Sequence, residues 1–311
     1  MLRSFLLYLS NARWTRRAIT GFAFARRAAG RFIAGETADD AVRAVRELNA
    51  SGITATVDYL GENALAEADA VRAASAYLTV LERMAAAGAR SHASLKLTQI
   101  GLDLSEGLCV DNLRRIAKRA RAWETFVRVD MEGSDYTERT LNIVRTLKHE
   151  QGFDNVGVVI QAYLYRSQHD IAELIGEGVR VRLCKGAYRE PPDRAYPRKR
   201  DVDANFMRLA RMLLDAAAKS TDGPYPAFAT HDQRLIAAVK AYAAQQGAPG
   251  AAYEFQMLYG IRRDLQRSLV REGHNVRVYV PYGGEWYPYF MRRLAERPAN
   301  LWFFLSNLIR R

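Results

Sequence analysis

One unit of sequence decides the fold: Thr37-Ala-Asp-Asp-Ala-Val-Arg-Ala-Val-Arg-Glu-Leu-Asn-Ala50, then Ser51-Gly52, then Ile53-Thr-Ala-Thr-Val-Asp-Tyr59. Thr37 is a helix-capping residue type, the run after it is amphipathic, and Gly52 is a typical residue just past a helix end. The segment from Ile53 to Tyr59 is rich in β-branched residues, which favour strands. The unit therefore predicts a helix followed by a strand.

The same alternation continues along the rest of the chain. Strand-like runs are predicted at residues 53–59, 92–97, 126–131, 156–163, 179–183, 225–230, 251–257 and 276–280, with stretches rich in Ala, Leu and Arg between them. Strands that alternate with helices favour right-handed crossovers and a parallel sheet. Eight such units predict an α/β protein of the (β/α)8 TIM-barrel type. An open doubly wound sheet is the alternative, although no Gly-x-Gly-x-x-Gly turn follows the first strand.

Composition divides the chain into two expected parts, a basic N-terminal helical arm at residues 1–50 and the barrel at residues 51–311. The formal net charge is +12, and the first 35 residues contain seven arginines and no acidic residue. An amphipathic basic arm either packs on the domain, which we favour, or rests on an anionic membrane surface. No nucleic-acid-reading motif accompanies the charge, so a nucleic-acid partner is not expected.

Several classes of protein are disfavoured by the remaining composition. The chain contains no run of about 18 apolar residues, so no membrane-spanning helix is expected. The apolar stretch near Met1 is too short for a secretory signal. Cys109 and Cys184 are the only cysteines and lie far apart, which suggests neither a disulfide framework nor a zinc site. We expect a cytoplasmic location, either free or attached peripherally to the inner face of the membrane.

Polar residues cluster where the predicted strands end, which is where barrel enzymes place their active sites. They are Asp58, Lys96, Thr98, Gln99, Asp130, Glu132, Gln161, Arg182, Lys185, Thr230, His231, Glu254, Gln256 and Tyr279. Any one of them is equally compatible with a structural role as a helix cap, an ion pair or a satisfied loop residue. Their recurrence at eight successive strands indicates a functional ring.

Two of these strand ends predict a phosphorylated cofactor. The sequence Arg182-Leu-Cys-Lys-Gly-Ala-Tyr188 combines cations with a small Gly-Ala pair, which lets a large planar or anionic ligand approach the backbone closely. Thr230 and His231 provide a hydroxyl and an imidazole that can donate hydrogen bonds to phosphate oxygens.

The predicted last helix carries a face suited to an anionic substrate. Tyr289, Arg292, Arg293 and Glu296 are spaced at i, i+3, i+4 and i+7, after Pro288 in the first turn. Paired guanidinium groups can bind a carboxylate or phosphate, and Glu296 can hold one of them in place. An isolated Arg-Arg-x-x-Glu is more often a solvated ion pair, but the aromatic residue and the Gly- and Pro-rich approach favour a binding face.

Seven motifs in order resemble those of the proline dehydrogenase family. They are Leu95-Lys-Leu-Thr-Gln99, Val129-Asp-Met-Glu132, Val159-Ile-Gln-Ala-Tyr163, Arg182-Leu-Cys-Lys-Gly-Ala-Tyr188, Phe228-Ala-Thr-His231, Tyr253-Glu-Phe-Gln256 and Tyr289-x-x-Arg-Arg-x-x-Glu296. The resemblance runs from about Leu60 to the C-terminus and, with Tyr188-Arg-Glu-Pro191, is closest to the single-function bacterial type. It implies FAD-dependent oxidation of L-proline to 1-pyrroline-5-carboxylate by hydride transfer from C5 to flavin N5, with electrons passed to a membrane quinone.

The resemblance also implies a role for each matching residue. In the substrate site, Arg292 and Arg293 bind the proline carboxylate, Lys96 assists from below, Tyr279 and Tyr289 limit ring motion, and Glu296 steadies the arginines. Asp130 lies beneath the substrate as an organising residue. The expected cofactor contacts are Met131, Gln161, Arg182, Lys185, Gly186, Ala187, Thr230 and His231, with Arg182 reaching the flavin N5 region.

Two features of the sequence depart from the family pattern, and two other functions are compatible with it. Cys184 stands where an aliphatic residue is commoner in the family, and the first 50 residues match it only loosely. One alternative is another flavin- or phosphate-binding barrel enzyme that acts on a small carboxylate. The other is a non-enzymatic basic binding protein, whose main activity would depend on residues 1–35.

Overall fold

The computed structural model describes residues 29–61, 63–219 and 225–296 of the chain. Within them, eight parallel strands close into a barrel in sequence order. The strands are β1 (Thr54–Tyr59), β2 (Ser91–Leu95), β3 (Val127–Val129), β4 (Val156–Gln161), β5 (Val181–Cys184), β6 (Ala227–Ala229), β7 (Glu254–Leu258) and β8 (Asn275–Tyr282). Pairing of β1 with β8, for example Ala55 with Val278, closes the sheet. The (β/α)8 prediction is confirmed, and the open-sheet alternative is wrong.

Nine α-helices accompany the strands in the described ranges. They are α1 (Ala38–Ala50), α2 (Glu67–Ala86), α3 (Glu106–Ala122), α4 (Thr137–Arg145), α5 (Ser167–Gly176), α6 (Lys199–Ala218), α7 (Gln233–Gln245), α8 (Arg263–Arg271) and α9 (Trp286–Glu296). Thr37 caps α1 as predicted, because its Oγ accepts a hydrogen bond from the Asp40 amide at 3.1 Å. The Thr37 amide in turn donates to Asp40 Oδ2 at 3.1 Å, which completes a capping box.

Alternation along the strands separates an apolar shell from a polar barrel interior. Val57, Leu95 and Leu183 are completely buried in the core between the sheet and the helices. The neighbouring positions on the same strands, such as Ser94 and Arg182, belong to the opposite face. Because this interior contains buried charges, each charge needs a partner, and those partners determine the geometry of the site.

One predicted strand-end pair lies elsewhere. Glu254 is the first residue of β7, and its carboxylate accepts from Arg277 Nε at 2.9 Å inside the barrel. Arg277 Nη1 also donates to the Ala55 carbonyl at 2.7 Å, so this ion pair joins β7, β8 and β1. The placement of Glu254 at the carboxyl end of its strand was therefore wrong. Gln256 donates to Glu254 and belongs to the same interior group.

Helix α9 follows β8 and covers the carboxyl end of the barrel. A second apolar cluster joins its residues Trp286, Tyr289 and Phe290 to Leu60 after β1 and Ile261 after β7. The same cluster includes Ala29, Phe32 and Ile33. The predicted capping position of the last helix follows from these contacts.

The described end of the N-terminal segment is attached to the same face. The Ala34 amide donates to the Pro281 carbonyl, and the Gly283 amide donates to the Gly35 carbonyl, both at 2.9 Å. Residues 1–28 of the predicted basic arm lie outside the described residues. Across the described ranges, every helix is too short or too polar to cross a lipid bilayer.

Candidate active site

Asp130 is the centre of a hydrogen-bonded group at the carboxyl end of the barrel. Its Oδ1 accepts from Ser94 Oγ at 2.8 Å and from Arg182 Nη1 at 2.9 Å. Its Oδ2 accepts from Tyr279 Oη at 2.8 Å. Residues from β2, β5 and β8 thus converge on the residue that follows β3, so the structure brings together three predicted site residues, Asp130, Arg182 and Tyr279.

Lys96 lies between two carboxylates at the same mouth. Its Nζ is 3.7 Å from Asp58 Oδ2 and 3.9 Å from Asp130 Oδ2. Burial opposes the charged amine, but Asp58 and Asp130 together raise the pKa of Lys96 above its ordinary value. Burial also raises the pKa of Asp58, which accepts from Tyr77 Oη at 3.2 Å. The partners of the Asp58 carboxylate are therefore Tyr77 and Lys96.

Arg182 and Tyr279 are further coupled by stacking. The guanidinium carbon of Arg182 lies 5.4 Å from the centre of the Tyr279 ring, within the range of a cation–π contact. Burial, followed by the charge of Asp130, raises the pKa of Tyr279 well above its ordinary value. Tyr279 therefore stays a neutral phenol that donates to Asp130 throughout the physiological pH range.

Gln161 connects the ends of three neighbouring strands. Its Nε2 donates to the Glu132 carbonyl at 2.8 Å, and its Oε1 accepts from the Ala187 amide at 3.3 Å. The Glu132 carboxylate accepts from Thr98 Oγ at 2.8 Å, and burial raises its pKa. Met131, which directly precedes Glu132 in the chain, is buried. The predicted residues Met131, Gln161 and Ala187 thus belong to one continuous stretch of the mouth.

Lys185 lies in a group of two cations and two anions. Its Nζ is 2.6 Å from Asp203 Oδ1 and 3.0 Å from Asp232 Oδ2. Lys199 pairs with both carboxylates as well. Burial opposes ionisation of Asp203, but hydrogen bonds from Lys185 and Lys199 lower its pKa. Sequence reasoning missed Asp203, Asp232 and Lys199, whose helices α6 and α7 meet Lys185 only in the folded chain.

Gly186 has a backbone conformation and surroundings that only glycine tolerates. Its φ is +119°, and a Cβ at this position would lie 2.5 Å from the ring of Tyr163. The chain can therefore turn over the Tyr163 ring and present the backbone of Gly186 and Ala187 at the mouth.

Thr230 and His231 support the edge formed by β6 and β7. The Thr230 amide donates to the Gln256 carbonyl at 3.2 Å, and its Oγ accepts from the Asp232 amide at 3.1 Å. His231 Nε2 accepts from the Leu258 amide at 3.0 Å, so this nitrogen carries no proton in the arrangement described. The predicted phosphate contacts of both residues stay predictions.

Helix α9 presents its predicted face to this mouth. The guanidinium carbon of Arg293 lies 5.0 Å from the centre of the buried Tyr289 ring. Arg292 is exposed, and its charge acts on the hydroxyl of Tyr188, as do the charges of Glu132, Lys96 and Asp130. Tyr188 is thus a residue of the mouth. It belongs to one of the sequence motifs, but no role was predicted for it. The side chain of Glu296 lies outside the described part of the chain.

The mouth fits a planar, hydrogen-bonding cofactor. Arg182 Nε is buried and has no hydrogen-bond partner within the described chain, so it is a donor available to an acceptor atom of a bound group. The backbone at Gly186 leaves no side chain between that group and the barrel. Lys185 lies beside the later strands, where its charge is paired with Asp203 and Asp232.

Comparisons with known proteins agree with this geometry. The family model described as proline dehydrogenase matches residues 41–305. The chain is 44% identical to proline dehydrogenase 1 of Bacillus subtilis, over the whole of both chains. It is 42% identical to proline dehydrogenase of Deinococcus radiodurans, covering 91% of this chain and 90% of that one.

A solved structure supports the same assignment. The chain is similar to proline utilization A from Bdellovibrio bacteriovorus, solved as the protein inactivated by N-propargylglycine, with a TM-score of 0.81 and 30% identity. The match covers 88% of this chain and 33% of that longer protein. With the family model spanning most of the chain and two relatives above 40% identity that are matched over at least 90% of their length, the chain belongs to the proline dehydrogenase family.

Proposed function

We propose that this protein oxidises L-proline to 1-pyrroline-5-carboxylate as a step of proline catabolism. The observation that supports this most strongly is the pairing of a cationic and aromatic face on α9 with a buried Asp130–Arg182–Tyr279 group at the barrel mouth. The face on α9 can bind a small amino-acid carboxylate, and the group around Asp130 can position the ring of the substrate. Family membership supports the same substrate.

Substrate binding rests on charge and shape. Arg292 and Arg293 bind the proline carboxylate with charge-assisted hydrogen bonds, which are stronger than neutral ones. Tyr289 packs against the pyrrolidine ring, and Glu296 steadies the arginine pair. Because Arg293 already lies over the Tyr289 ring, little side-chain entropy is lost when the substrate binds.

Lys96 contributes a cation, not a base. Its pKa is raised by Asp58 and Asp130 against the opposing effect of burial, so the amine stays protonated at neutral pH. A protonated amine cannot accept the proton of the substrate nitrogen, but it can attract the substrate carboxylate. The substrate must therefore lose its amine proton to water or to another acceptor.

Asp130 organises the site beneath the substrate. Its three hydrogen bonds leave Arg182 and Tyr279 in fixed orientations, and fixed orientation lowers the entropy that must be lost on the way to the transition state. Tyr279 limits motion of the substrate ring. Arg182 would offer its Nε, which has no hydrogen-bond partner within the described chain, to an acceptor atom of the bound cofactor.

Family membership implies a flavin, and we propose that the flavin is FAD. The residues that would hold it are Met131, Gln161, Arg182, Lys185, Gly186, Ala187, Thr230 and His231. When bound, the flavin supplies the two-electron acceptor that oxidation of a C–N bond requires. Lys185, Thr230 and His231 would bind the phosphate-bearing part, and this requires Lys185 to exchange part of its contact with Asp203 and Asp232.

A membrane quinone is the proposed final electron acceptor. We propose that residues 51–311 form the catalytic barrel and that the basic arm at residues 1–50 assists peripheral contact with the inner face of the membrane. The seven arginines among the first 35 residues support this, because polybasic amphipathic segments bind anionic lipid surfaces.

The test is product formation. Purified protein loaded with FAD is incubated with L-proline and a soluble quinone analogue, and 1-pyrroline-5-carboxylate is measured by mass spectrometry. We expect product with L-proline and none with its carboxamide, which lacks the anion that Arg292 and Arg293 bind. Equal turnover of both compounds would contradict the carboxylate clamp, and no product from either would contradict the substrate.

A further inference from the structure

The loop between β5 and α6, residues 185–198, forms one wall of the barrel mouth. Residues 187–194 of this loop are exposed, apart from Glu190, which is half-buried. We propose that Glu190 is a positioning residue that fastens this loop to the β3 side of the mouth and so holds Tyr188 where substrate enters. The role in substrate entry rests on the proposed function.

Both oxygens of the Glu190 carboxylate accept hydrogen bonds from the same residue, Ser134. Oε1 accepts from the Ser134 amide at 2.8 Å, and Oε2 accepts from the Ser134 hydroxyl. Two parallel bonds fix direction as well as distance, and hydrogen bonds to an ionised acceptor are among the stronger ones in proteins. Ser134 begins the short turn of residues Ser134–Tyr136 that follows β3. The contact therefore joins two strand-end loops that are far apart in sequence.

Tyr163 links this attachment to the start of the loop. Its amide donates to the Lys185 carbonyl at 2.9 Å, and its ring fills the space where a side chain at Gly186 would lie. Its hydroxyl is 3.5 Å from Glu190 Oε1, at the limit of a hydrogen bond. The loop from Gly186 to Glu190 is thus folded around one buried aromatic residue.

The far end of the loop is attached by further contacts that do not involve Glu190. The Tyr196 amide donates to the Tyr163 carbonyl at 2.8 Å, and the Tyr165 amide donates to the Arg194 carbonyl at 3.0 Å. Arg194 Nη1 also donates to Ser134 Oγ at 3.0 Å. Since these bonds hold residues 194–196 and the Ala187 amide donates to Gln161 Oε1, loss of the Glu190 contact would loosen residues 188–193 and leave both ends of the loop in place.

Tyr188 is the residue that depends on this attachment. It is 41% exposed, so packing against the core does not hold it. Burial of its hydroxyl end at the mouth raises the pKa of Tyr188 to about 12, with Glu132, Lys96, Asp130 and Arg292 acting on it as neighbouring charges. The hydroxyl of Tyr188 is therefore within electrostatic reach of both Lys96 and Arg292 of α9. A displaced Tyr188 would leave this side of the mouth open to water.

The test compares Glu190→Gln, Glu190→Ala and Ser134→Ala with the wild-type chain. Asp193→Asn is the matched control, because it removes one negative charge from an exposed position in the same loop. Three quantities are measured on the FAD-loaded protein: the rate of tryptic cleavage after Arg189, divided by the rate at the same bond in a peptide of residues 185–198 that carries the same substitution, and kcat and KM for L-proline.

We expect cleavage after Arg189 to be about tenfold faster in Glu190→Ala and less accelerated in Glu190→Gln, since cleavage follows the population of the open loop. KM should rise about fivefold or more in Glu190→Ala with kcat within about twofold, because the wall supports the substrate and the transition state alike. Asp193→Asn should match the wild type in both.

Each other outcome overturns part of the inference. Wild-type cleavage rates in Glu190→Ala and Ser134→Ala would contradict the fastening role. Faster cleavage with unchanged KM would contradict the effect on substrate entry. If even the wild type fails to oxidise proline, the proposed function fails, and the cleavage rates still decide whether Glu190 fastens the loop.

Discussion

Replacing Asp130 with Asn tests whether the charge at the centre of the mouth is structural. The substitution keeps the shape of the side chain but leaves Arg182 opposite a neutral amide, although the two side chains are only 14% and 6% exposed. Removing one partner of a buried ion pair costs about 3 to 5 kcal/mol. We expect about 3 kcal/mol, the lower end of that range, because the introduced amide oxygen can still accept from Ser94 or Tyr279 and Lys96 keeps Asp58.

That loss corresponds to a melting temperature about 5 °C lower for a chain of this length. The assay is urea unfolding followed by circular dichroism, in which the midpoint should fall without a change in slope. Asp264→Asn is the control, because it breaks an ion pair with Arg262 in which the Asp264 side chain is 68% exposed. The control should lose less than about 1 kcal/mol. Equal losses in the two variants would refute the claim that the Asp130–Arg182 pair is energetically buried.

Three further predictions follow from the same geometry. Arg292→Met should raise KM for L-proline by about tenfold or more while flavin stays bound, because a charged hydrogen bond is lost. The control Arg114→Met, on the outer surface, should leave KM unchanged. An unchanged KM in Arg292→Met would show that this residue does not bind the substrate carboxylate. Gly186→Ala should lower flavin retention on gel filtration, because the added Cβ would meet the Tyr163 ring at 2.5 Å, whereas Gly88→Ala, also at positive φ but with open space around it, should retain flavin. Burial raises the pKa of Asp58. Its carboxyl therefore contributes fully to the free energy of unfolding below the ordinary pKa of 3.8, and this contribution is lost as the pH rises through the raised pKa. Urea midpoints of Asp58→Asn, measured from acid to neutral pH, should lack this fall, and a pH profile like that of the wild type would contradict the prediction.

Local sequence patterns predict most of the fold. Each predicted strand overlaps an observed one, and Thr37 caps its helix, because β-branched runs and capping residues act over a few neighbouring positions. Sequence patterns predict less well whether a polar residue lies at the amino or the carboxyl end of its strand. The seventh strand was predicted at residues 251–257, whereas β7 begins at Glu254. Glu254 therefore lies at the amino end of its strand and not at the carboxyl end, where it was predicted.

The site could be predicted where a side chain belongs to a strand end, and not where its partner comes from a helix. Asp130, Arg182 and Tyr279 follow from strand positions alone. Tyr77, which donates to Asp58, lies on the apolar face of α2 and resembles any core residue in the sequence. Asp203 and Asp232 approach Lys185 from α6 and the start of α7, and no spacing rule connects them.

The proposed reaction is oxidation of proline at this barrel mouth, with the substrate held by the arginine pair of α9. An anaerobic absorbance titration of the FAD-loaded protein with L-proline, run beside Arg292→Met, tests it most directly. We predict that L-proline bleaches the oxidised flavin band of the wild type stoichiometrically, and that the variant reaches the same bleaching only at about tenfold or higher proline concentration. Bound flavin that stays oxidised at saturating proline would contradict the proposed reaction, and identical titration curves for the two proteins would contradict the clamp.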